Sequence, residues 1–184
     1  NGYILITFNA GLTWKDISPP PKRSAFAAKF ISSVREIVVG YSNTSICITR
    51  DGVATWMSQT FPSYDECGDI HTSRSGTINA MMNGMRNGSS ILFTTDYGST
   101  WVTYSGPFDD DCKSFAIDPC DSNTFYVANE EFYNITDAIR SLYVSDDRGA
   151  TWHIADSKPF EYLCGSVITL PNSIVCFQTM HEGI

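Results

Sequence analysis

Short apolar runs alternate with polar, glycine-bearing stretches along the chain, and one such arrangement occurs four times. Residues 90–101 read SILFTTDYGSTW, an apolar run followed by a polar turn that ends in Thr-Trp. Segments 3–14, 45–56 and 141–152 share its length and layout. The tryptophans that close the copies are 42, 45 and 51 residues apart: Trp14, Trp56, Trp101 and Trp152. Self-similarity at a nearly constant spacing indicates a fold built from repeated units.

The spacing of the copies predicts the fold class. A period of about 40 to 50 residues accommodates four short strands, which is the size of one β-propeller blade. Further apolar runs lie between the copies, among them SAFAAKF, EIVVGYS, TINAMM and TFYVANE. Helical periodicity over ten or more residues is not found in the sequence. We therefore predict an all-β propeller of four-stranded blades, in which the repeated segment forms strands three and four.

The polar half of each copy has the composition of a tight turn. In TTDYGSTW, Asp96 can accept hydrogen bonds from nearby backbone N–H groups and from the Thr100 hydroxyl. Gly98 can adopt a positive φ, and Trp101 can begin the returning strand and cover the turn. The apolar half is hydrophobic at consecutive positions, which is typical of a strand covered on both faces.

The turn resembles the Asp-box, or bacterial neuraminidase repeat, Ser/Thr-x-Asp-x-Gly-x-Thr-Trp. Two copies match fully, with Asp96, Gly98, Thr100 and Trp101 in one and Asp147, Gly149, Thr151 and Trp152 in the other. The first copy has Asn9 in place of the aspartate, followed by Gly11, Thr13 and Trp14. The second has Asp51, Thr55 and Trp56, but Gly52 comes one place early and Val53 takes the glycine position. The resemblance implies that these residues are structural and lie on outer turns, away from an axial pocket.

Counting strands from the turns divides the single propeller domain, residues 1–184, into three whole blades and two partial ones. The predicted bounds are a partial blade at 1–18, whole blades at 23–60, 68–105 and 113–157, and a partial blade at 162–184. Either the chain is a segment of a larger propeller, or the two partial blades pair and close a four-bladed ring. We favour the larger propeller, because the Asp-box resemblance implies six to ten blades.

Composition excludes several classes of partner. The formal net charge is -8, charged residues make up 17% of the chain, and no basic run is present. Nucleic acid and anionic membranes are therefore not expected as partners. No apolar run approaches the ~18 residues that span a bilayer. We expect neither a metal nor a cofactor.

Cysteines and glycosylation sequons predict an extracellular or secretory-pathway location. Sequons begin at Asn43, Asn87 and Asn134, each between apolar segments. An even set of cysteines without zinc-site spacing favours disulfides: Cys47, Cys67, Cys112, Cys120, Cys164 and Cys176. Cys112 and Cys120 are too far apart to bridge each other if the run between them is extended. Our first candidate pair is Cys164 with Cys176, and the second is Cys67 with Cys112.

Three local patterns have both a functional and a structural interpretation. Cys67, Asp69 and His71 alternate and could ligate a metal from one face of a strand, but we favour a bridged cysteine beside an ordinary histidine. Residues 109–111, three aspartates, could hold calcium, but a solvated loop is favoured. The SPPPK segment at 18–22 could bind a domain that recognises polyproline, but we favour a rigid connection between blades. His181 and Glu182 do not indicate the zinc site of a metalloprotease, because a second histidine at helical spacing is absent from the sequence.

The sequence contains no recognisable catalytic constellation, so catalytic residues are unknown. Turns in nearly every blade resemble sortilin-type sorting receptors, and DPCDSNTFYVANE with SDDRGATW is similar to xyloglucan-cleaving propeller hydrolases. The FRIP-like stretch that precedes the first box in sialidases is not recognisable here. We predict a module that binds a peptide, protein or glycan. Further blades of a larger chain could pack beside it. The alternative is a glycoside hydrolase whose two carboxylates face the central channel.

Overall fold

A computed structural model describes residues 3–73, 75–84, 88–108, 112–130, 140–155, 163–170 and 174–179. These residues form sixteen strands in five antiparallel sheets. They form no helix, and thus no helical segment able to cross a membrane. The predicted all-β class with four-stranded sheets is confirmed.

Three of the sheets have four strands each, joined in the order in which they follow along the chain. Sheet II contains β3 (Ala25–Phe30), β4 (Ile37–Tyr41), β5 (Ser45–Thr49) and β6 (Met57–Thr60). Sheet III contains β7 (Glu66–Thr72), β8 (Ile78–Asn83), β9 (Ser90–Thr94) and β10 (Val102–Ser105). Sheet IV contains β11 (Cys112–Ile117), β12 (Phe125–Glu130), β13 (Arg140–Ser145) and β14 (His153–Ile154).

Two further sheets have two strands each. Sheet I pairs β1 (Leu5–Ile6) with β2 (Lys15–Asp16), and sheet V pairs β15 (Leu163–Leu170) with β16 (Ile174–Thr179). They are separate sheets rather than halves of one four-stranded sheet. In the described part of the chain, the two partial blades thus do not pair as the four-bladed alternative requires.

Neighbouring sheets pack face to face through apolar side chains. Successive residues of a strand point to opposite faces, so the middle strands bury one set of side chains against each neighbour. In β4, Val38 joins the cluster between sheets II and III, whereas Ile37 and Val39 join the cluster between sheets I and II. Similar clusters lie between sheets III and IV and between sheets IV and V. This two-sided burial explains the consecutive apolar positions in the sequence.

The tryptophans that close the turns occupy these interfaces, with one exception. Trp56, Trp101 and Trp152 each pack on the cluster shared with the preceding sheet. The indole N–H of Trp101 also donates to the Gly98 carbonyl oxygen over 3.1 Å. Trp14 is 60% exposed and packs on none of the clusters found in the described residues. Its exposure follows from its place on sheet I, where no described sheet covers that side.

The predicted disulfide between Cys67 and Cys112 is wrong, because Cys67 is a free thiol. Cys67 packs in the cluster between sheets II and III, whereas Cys112 packs in the cluster between sheets III and IV. The two sulfur atoms therefore face opposite sides of sheet III. Cys47 and Cys120 are also free.

The pairing of Cys164 with Cys176 is also not supported. Cys176 is a free thiol that lies opposite Ile168 in the β15–β16 ladder. Cys164 precedes Ile168 by four residues, which corresponds to about 13 Å along an extended strand. A disulfide needs Cα atoms within about 7 Å of each other. The side chain of Cys164 itself lies outside the described residues.

Candidate functional site

A cavity of about 510 Å³ opens between sheets III and IV. Sheet III contributes the ends of β7 and β9 and the start of β8. Sheet IV contributes the end of β11, the loop that follows it and the turn between β13 and β14. The volume lies within the range of about 300 to 1,000 Å³ that is typical of ligand pockets. We call this space the III–IV cavity.

A row of three side chains crosses the sheet III wall of the cavity. Asn79 on β8 is paired with His71 on β7 and with Phe93 on β9. Residues paired across antiparallel strands lie on the same face of a sheet. That face is turned toward sheet IV, because the His71 ring contacts the Phe115 ring with their centres 4.5 Å apart.

Asn79 is the unusual member of the row. Its side chain is 2% exposed, and its Oδ1 atom has no hydrogen-bond partner among the described residues. The strand pairing shows which residues of the other complete sheets occupy the same position as Asn79: Val38 in sheet II and Tyr126 in sheet IV. Burying a carboxamide oxygen without a partner costs about 1 to 3 kcal/mol. A ligand that donates a hydrogen bond to Asn79 would recover this energy.

Arg148 supplies a positive charge on the sheet IV side. It lies in the turn between β13 and β14, and its Nε donates to the Asn123 side-chain oxygen over 2.7 Å. Its guanidinium carbon lies 5.9 Å from the centre of the Phe93 ring. The bond to Asn123 uses only Nε, so the two terminal NH₂ groups of the guanidinium can still donate. The cavity thus combines one buried acceptor with one fixed cation.

Asp118 is the one carboxylate among the residues that line the cavity. It is 3% exposed, and its Oδ1 accepts the backbone N–H groups of Cys120 and Asp121 at 2.8 and 3.3 Å. The carboxylate therefore orders the loop after β11. A pair of facing carboxylates, which glycoside hydrolysis needs, is not found in this lining.

The four repeated turns share one hydrogen-bond pattern. Asp96 accepts the Thr100 backbone N–H at 2.9 Å and the Thr100 hydroxyl at 2.6 Å. Asp51 and Asp147 make the same bonds to Thr55 and Thr151. In the first turn, Asn9 accepts the Thr13 N–H at 2.9 Å and donates to the Thr13 hydroxyl at 2.8 Å.

These hydrogen bonds change the acidity of the turn aspartates. The threonine hydroxyl, followed by its backbone N–H, lowers the pKa of Asp51, Asp96 and Asp147 from 3.8 to about 2. The departures from the resemblance do not change the turn conformation. Val53 has a φ of 72°, in the same left-handed region as Gly98 at 82°.

The metal interpretation of Cys67, Asp69 and His71 is wrong for a structural reason. A β-bulge between Cys67 and Asp69 breaks the alternation of side chains along β7. Cys67 consequently packs toward sheet II, whereas His71 contacts Phe115 of sheet IV. The three side chains do not share one face.

Several other predicted sites fall outside the described residues: Asn87, Asn134, 109–111, His181 and Glu182. Asn43 is described and lies in the turn between β4 and β5. Its amide nitrogen donates to the Ser45 hydroxyl over 3.0 Å.

Sequence reasoning missed Asn79 and Arg148. Aligning the repeats beyond the turns would have revealed Asn79, because INAMM in β8 corresponds to IVVGY in β4 and FYVAN in β12. Arg148 occupies the variable position between Asp147 and Gly149. The Asp-box resemblance implies a structural role for the turn, yet Arg148 at its variable position lines the cavity.

Comparison with known proteins supports the fold and identifies a family. The family model described as the DUF6242 beta propeller domain matches residues 1–174. The comparison with curated proteins gives no match. Both kinds of solved structure described next share under 25% sequence identity with the chain, so their likeness shows the fold alone.

One similar structure is a GH74 enzyme from Niastella koreensis, with 18% identity and a TM-score of 0.58 over 84% of this chain and 21% of that one. Another is YCF48 from Cyanidioschyzon merolae, with 16% identity and a TM-score of 0.58 over 80% of this chain and 44% of that one. A structure of YCF48 bound to D1 peptide has 14% identity and a TM-score of 0.56, over 89% and 46% of the two chains. The chain thus spans less than half the length of these proteins.

Proposed function

Because the chain belongs to the DUF6242 β-propeller domain family, we propose that it acts as a binding domain and that an extended peptide occupies the III–IV cavity. The observation that carries this proposal is the buried Asn79 oxygen, which has no partner among the described residues. A peptide backbone presents an N–H donor and a carbonyl acceptor at almost every residue. The N–H would bond to Asn79, and a carbonyl or acidic group would bond to Arg148.

The aromatic residue in the cavity favours a peptide over a glycan. Sugar rings commonly bind by stacking on an open aromatic face. Here the Phe93 ring is approached by the Arg148 guanidinium at 5.9 Å, which limits access to it. Thr77 and Thr95 also line the cavity, and threonine hydroxyls suit the polar groups of a peptide backbone. A similar propeller, YCF48, has been solved with a bound peptide.

Glycoside hydrolysis is the second candidate, and the likeness to GH74 enzymes motivates it. Hydrolysis needs two carboxyl groups about 5 to 10 Å apart, one of them able to donate a proton. The cavity offers Asp118 alone, and this carboxylate already accepts two backbone N–H groups. The described cavity therefore favours binding.

We also propose that the protein works outside the cell or in the secretory lumen. Without the disulfides, the proposal rests on the three sequons that begin at Asn43, Asn87 and Asn134. The finer likeness to sortilin-type receptors rests on the spacing of the four turns alone.

Peptide selection on the immobilised 184-residue chain tests the function. A library of random 12-residue peptides should yield an enriched sequence, whose affinity is then measured by fluorescence anisotropy. Asn79→Val, which copies Val38 of sheet II, should weaken binding about tenfold because the acceptor is lost. The melting temperature should stay the same or rise, because an unpaired buried amide is removed.

Arg148→Gln should also weaken peptide binding, by removing the charge while keeping a polar side chain. The matched control is Arg50→Gln, since Arg50 is another turn arginine that lies over an aromatic ring, that of Tyr97, but outside the III–IV cavity. It should leave the peptide affinity unchanged. If selection enriches no peptide, or if Asn79→Val binds as tightly as the unmodified chain, the proposal is wrong. Release of sugar from xyloglucan by the chain would instead support the hydrolase.

A further inference from the structure

A second cavity, of about 130 Å³, lies beside sheet II at the opposite end of its strands. Its walls include Pro20 and Pro21, in the segment that joins β2 to β3, and Tyr41, the last residue of β4. β8 of sheet III corresponds to β4 of sheet II. The III–IV cavity lies near the start of β8, where Asn79 is, whereas the second cavity lies near the end of β4. The two cavities are therefore separate sites.

Two of the residues that line this cavity each have a buried polar atom without a partner among the described residues. Tyr41 is 3% exposed, and its Oη atom makes no hydrogen bond there. The Asn43 Oδ1 atom is likewise buried and unpaired. The bond from Asn43 Nδ2 to the Ser45 hydroxyl fixes the orientation of that amide. Burial raises the pKa of Tyr41, so its hydroxyl remains a donor at neutral pH.

The cavity has a positive electrostatic character. Arg23 is part of its wall, and none of the described residues that line it is acidic. Burial raises the pKa of the neighbouring Cys47 thiol, while the hydrogen bond between Cys47 and Ser58 and the charge of Arg23 oppose this rise. Lys22, the adjacent cation, is engaged by Asp16 in an ion pair.

We propose that this cavity binds a small carboxylate that carries a neighbouring hydroxyl or N–H group. The carboxylate accepts hydrogen bonds from the Tyr41 hydroxyl and the Arg23 guanidinium, and the neighbouring group donates to Asn43 Oδ1. The arrangement satisfies both unpaired atoms and balances the one charge. The volume is several times what a single water needs and suits a molecule of a few heavy atoms. This inference does not depend on the proposed peptide site.

Glycolate, which has a carboxylate next to a hydroxyl, is the probe. Titration of the 184-residue chain, followed by amide NMR shifts, should show saturable changes around Tyr41 and Asn43 at millimolar glycolate. Acetate lacks the hydroxyl and glycolamide lacks the charge, so each should bind about tenfold more weakly. Failure of glycolate to cause saturable shifts at 50 mM would show that the cavity holds only solvent and would overturn the proposal.

Variants separate this site from a purely structural role. Tyr41→Phe should weaken glycolate binding about tenfold while the melting temperature stays the same or rises, because an unpaired buried hydroxyl is removed. Arg23→Gln changes an exposed side chain, keeps the fold intact and should weaken binding similarly. Asn79→Val should bind glycolate normally, so the two proposals fail independently. Undiminished glycolate binding by both Tyr41→Phe and Arg23→Gln would contradict the assignment.

Discussion

The four repeated turns have nearly the same backbone conformation, but their glycines meet different neighbours. Gly11, Gly98 and Gly149 all have φ between 82° and 92°, where an L side chain is strained. A Cβ added at Gly98 would lie 2.5 Å from Ile48 of sheet II, and one at Gly149 would lie 3.2 Å from Tyr104 of sheet III. A Cβ at Gly11 would meet only Trp14, at 3.8 Å. The turn glycine is thus also a contact between sheets.

We predict an order of stability for the three glycine-to-alanine variants. Gly11→Ala should lower the free energy of unfolding by about 1 kcal/mol, through backbone strain alone. Gly98→Ala should lower it by about 1 to 3 kcal/mol more, because Ile48 is buried and must move. The loss for Gly149→Ala should lie between the losses for Gly11→Ala and Gly98→Ala. Urea unfolding measures all three, and Gly11→Ala serves as the matched control. Equal losses at Gly11 and Gly98 would show that the turn does not pack on the preceding sheet.

At the residue scale, the turns could be predicted from the sequence more fully than the cavity could. The bonds from Asp96 to Thr100 follow from residue types at fixed spacing within eight residues. Whether Asn79 Oδ1 has a hydrogen-bond partner depends on the side chains of sheet IV that face it, and these lie more than 30 residues further along the chain. Hydrogen-bond partners that distant in sequence are set by tertiary packing, which local patterns do not encode.

Among the structural elements, the tryptophans test how each sheet is held to the one before it. Trp101 packs on the cluster between sheets II and III and makes an edge-to-face contact with Phe61, with ring centres 5.6 Å apart. Trp14 has the same place in its own turn but is 60% exposed. The two residues therefore differ in packing rather than in local sequence.

We predict that Trp101→Ala lowers the free energy of unfolding by about 2 to 4 kcal/mol, since it removes a packed aromatic side chain. Trp14→Ala should lower it by less than about 1 kcal/mol, because little of that side chain is removed from water. Guanidinium unfolding of the 184-residue chain measures both losses. A loss at Trp14 as large as that at Trp101 would contradict the packing of the sheets described above.

The repeat spacing predicted the four-stranded sheets because each turn fixes the hairpin of strands three and four. It did not predict the β-bulges at the start of the first strand in each complete sheet, between Ala25 and Ala27, Cys67 and Asp69, and Cys112 and Ser114. A bulge adds one residue and reverses which face the later side chains occupy. For that reason the alternation of Cys67, Asp69 and His71 suggested a shared face that does not exist.

At the scale of the whole molecule, sheets I and V leave apolar side chains exposed. Leu12 is 84% exposed on the turn of sheet I, and Ile168 is 56% exposed on sheet V. Large exposed apolar residues that lie close together usually mark an interaction surface. Further blades of a larger propeller remain our prediction for what covers them, and the total number of blades is part of that prediction.

The turn aspartates also give the whole molecule a defined response to acid. Their pKa values of about 2 in the folded chain lie below the ordinary 3.8. A carboxyl group whose pKa is lowered by folding stabilises the folded state fully above its unfolded pKa, and this contribution is lost as the pH falls toward the folded pKa. Stability should therefore decline between about pH 4 and pH 2.

We predict that the double variant Asp96→Asn with Asp147→Asn loses less folding stability between about pH 4 and pH 2 than the unmodified chain does. Asn9 shows that an amide can hold the same turn, because it bonds to both the backbone and the hydroxyl of Thr13. The variant should be less stable at pH 6, and its urea midpoint should converge with that of the unmodified chain near pH 2. The reciprocal control, Asn9→Asp, should make the decline steeper. Parallel curves for all three proteins from pH 6 to pH 2 would show that the turn carboxylates do not govern acid unfolding.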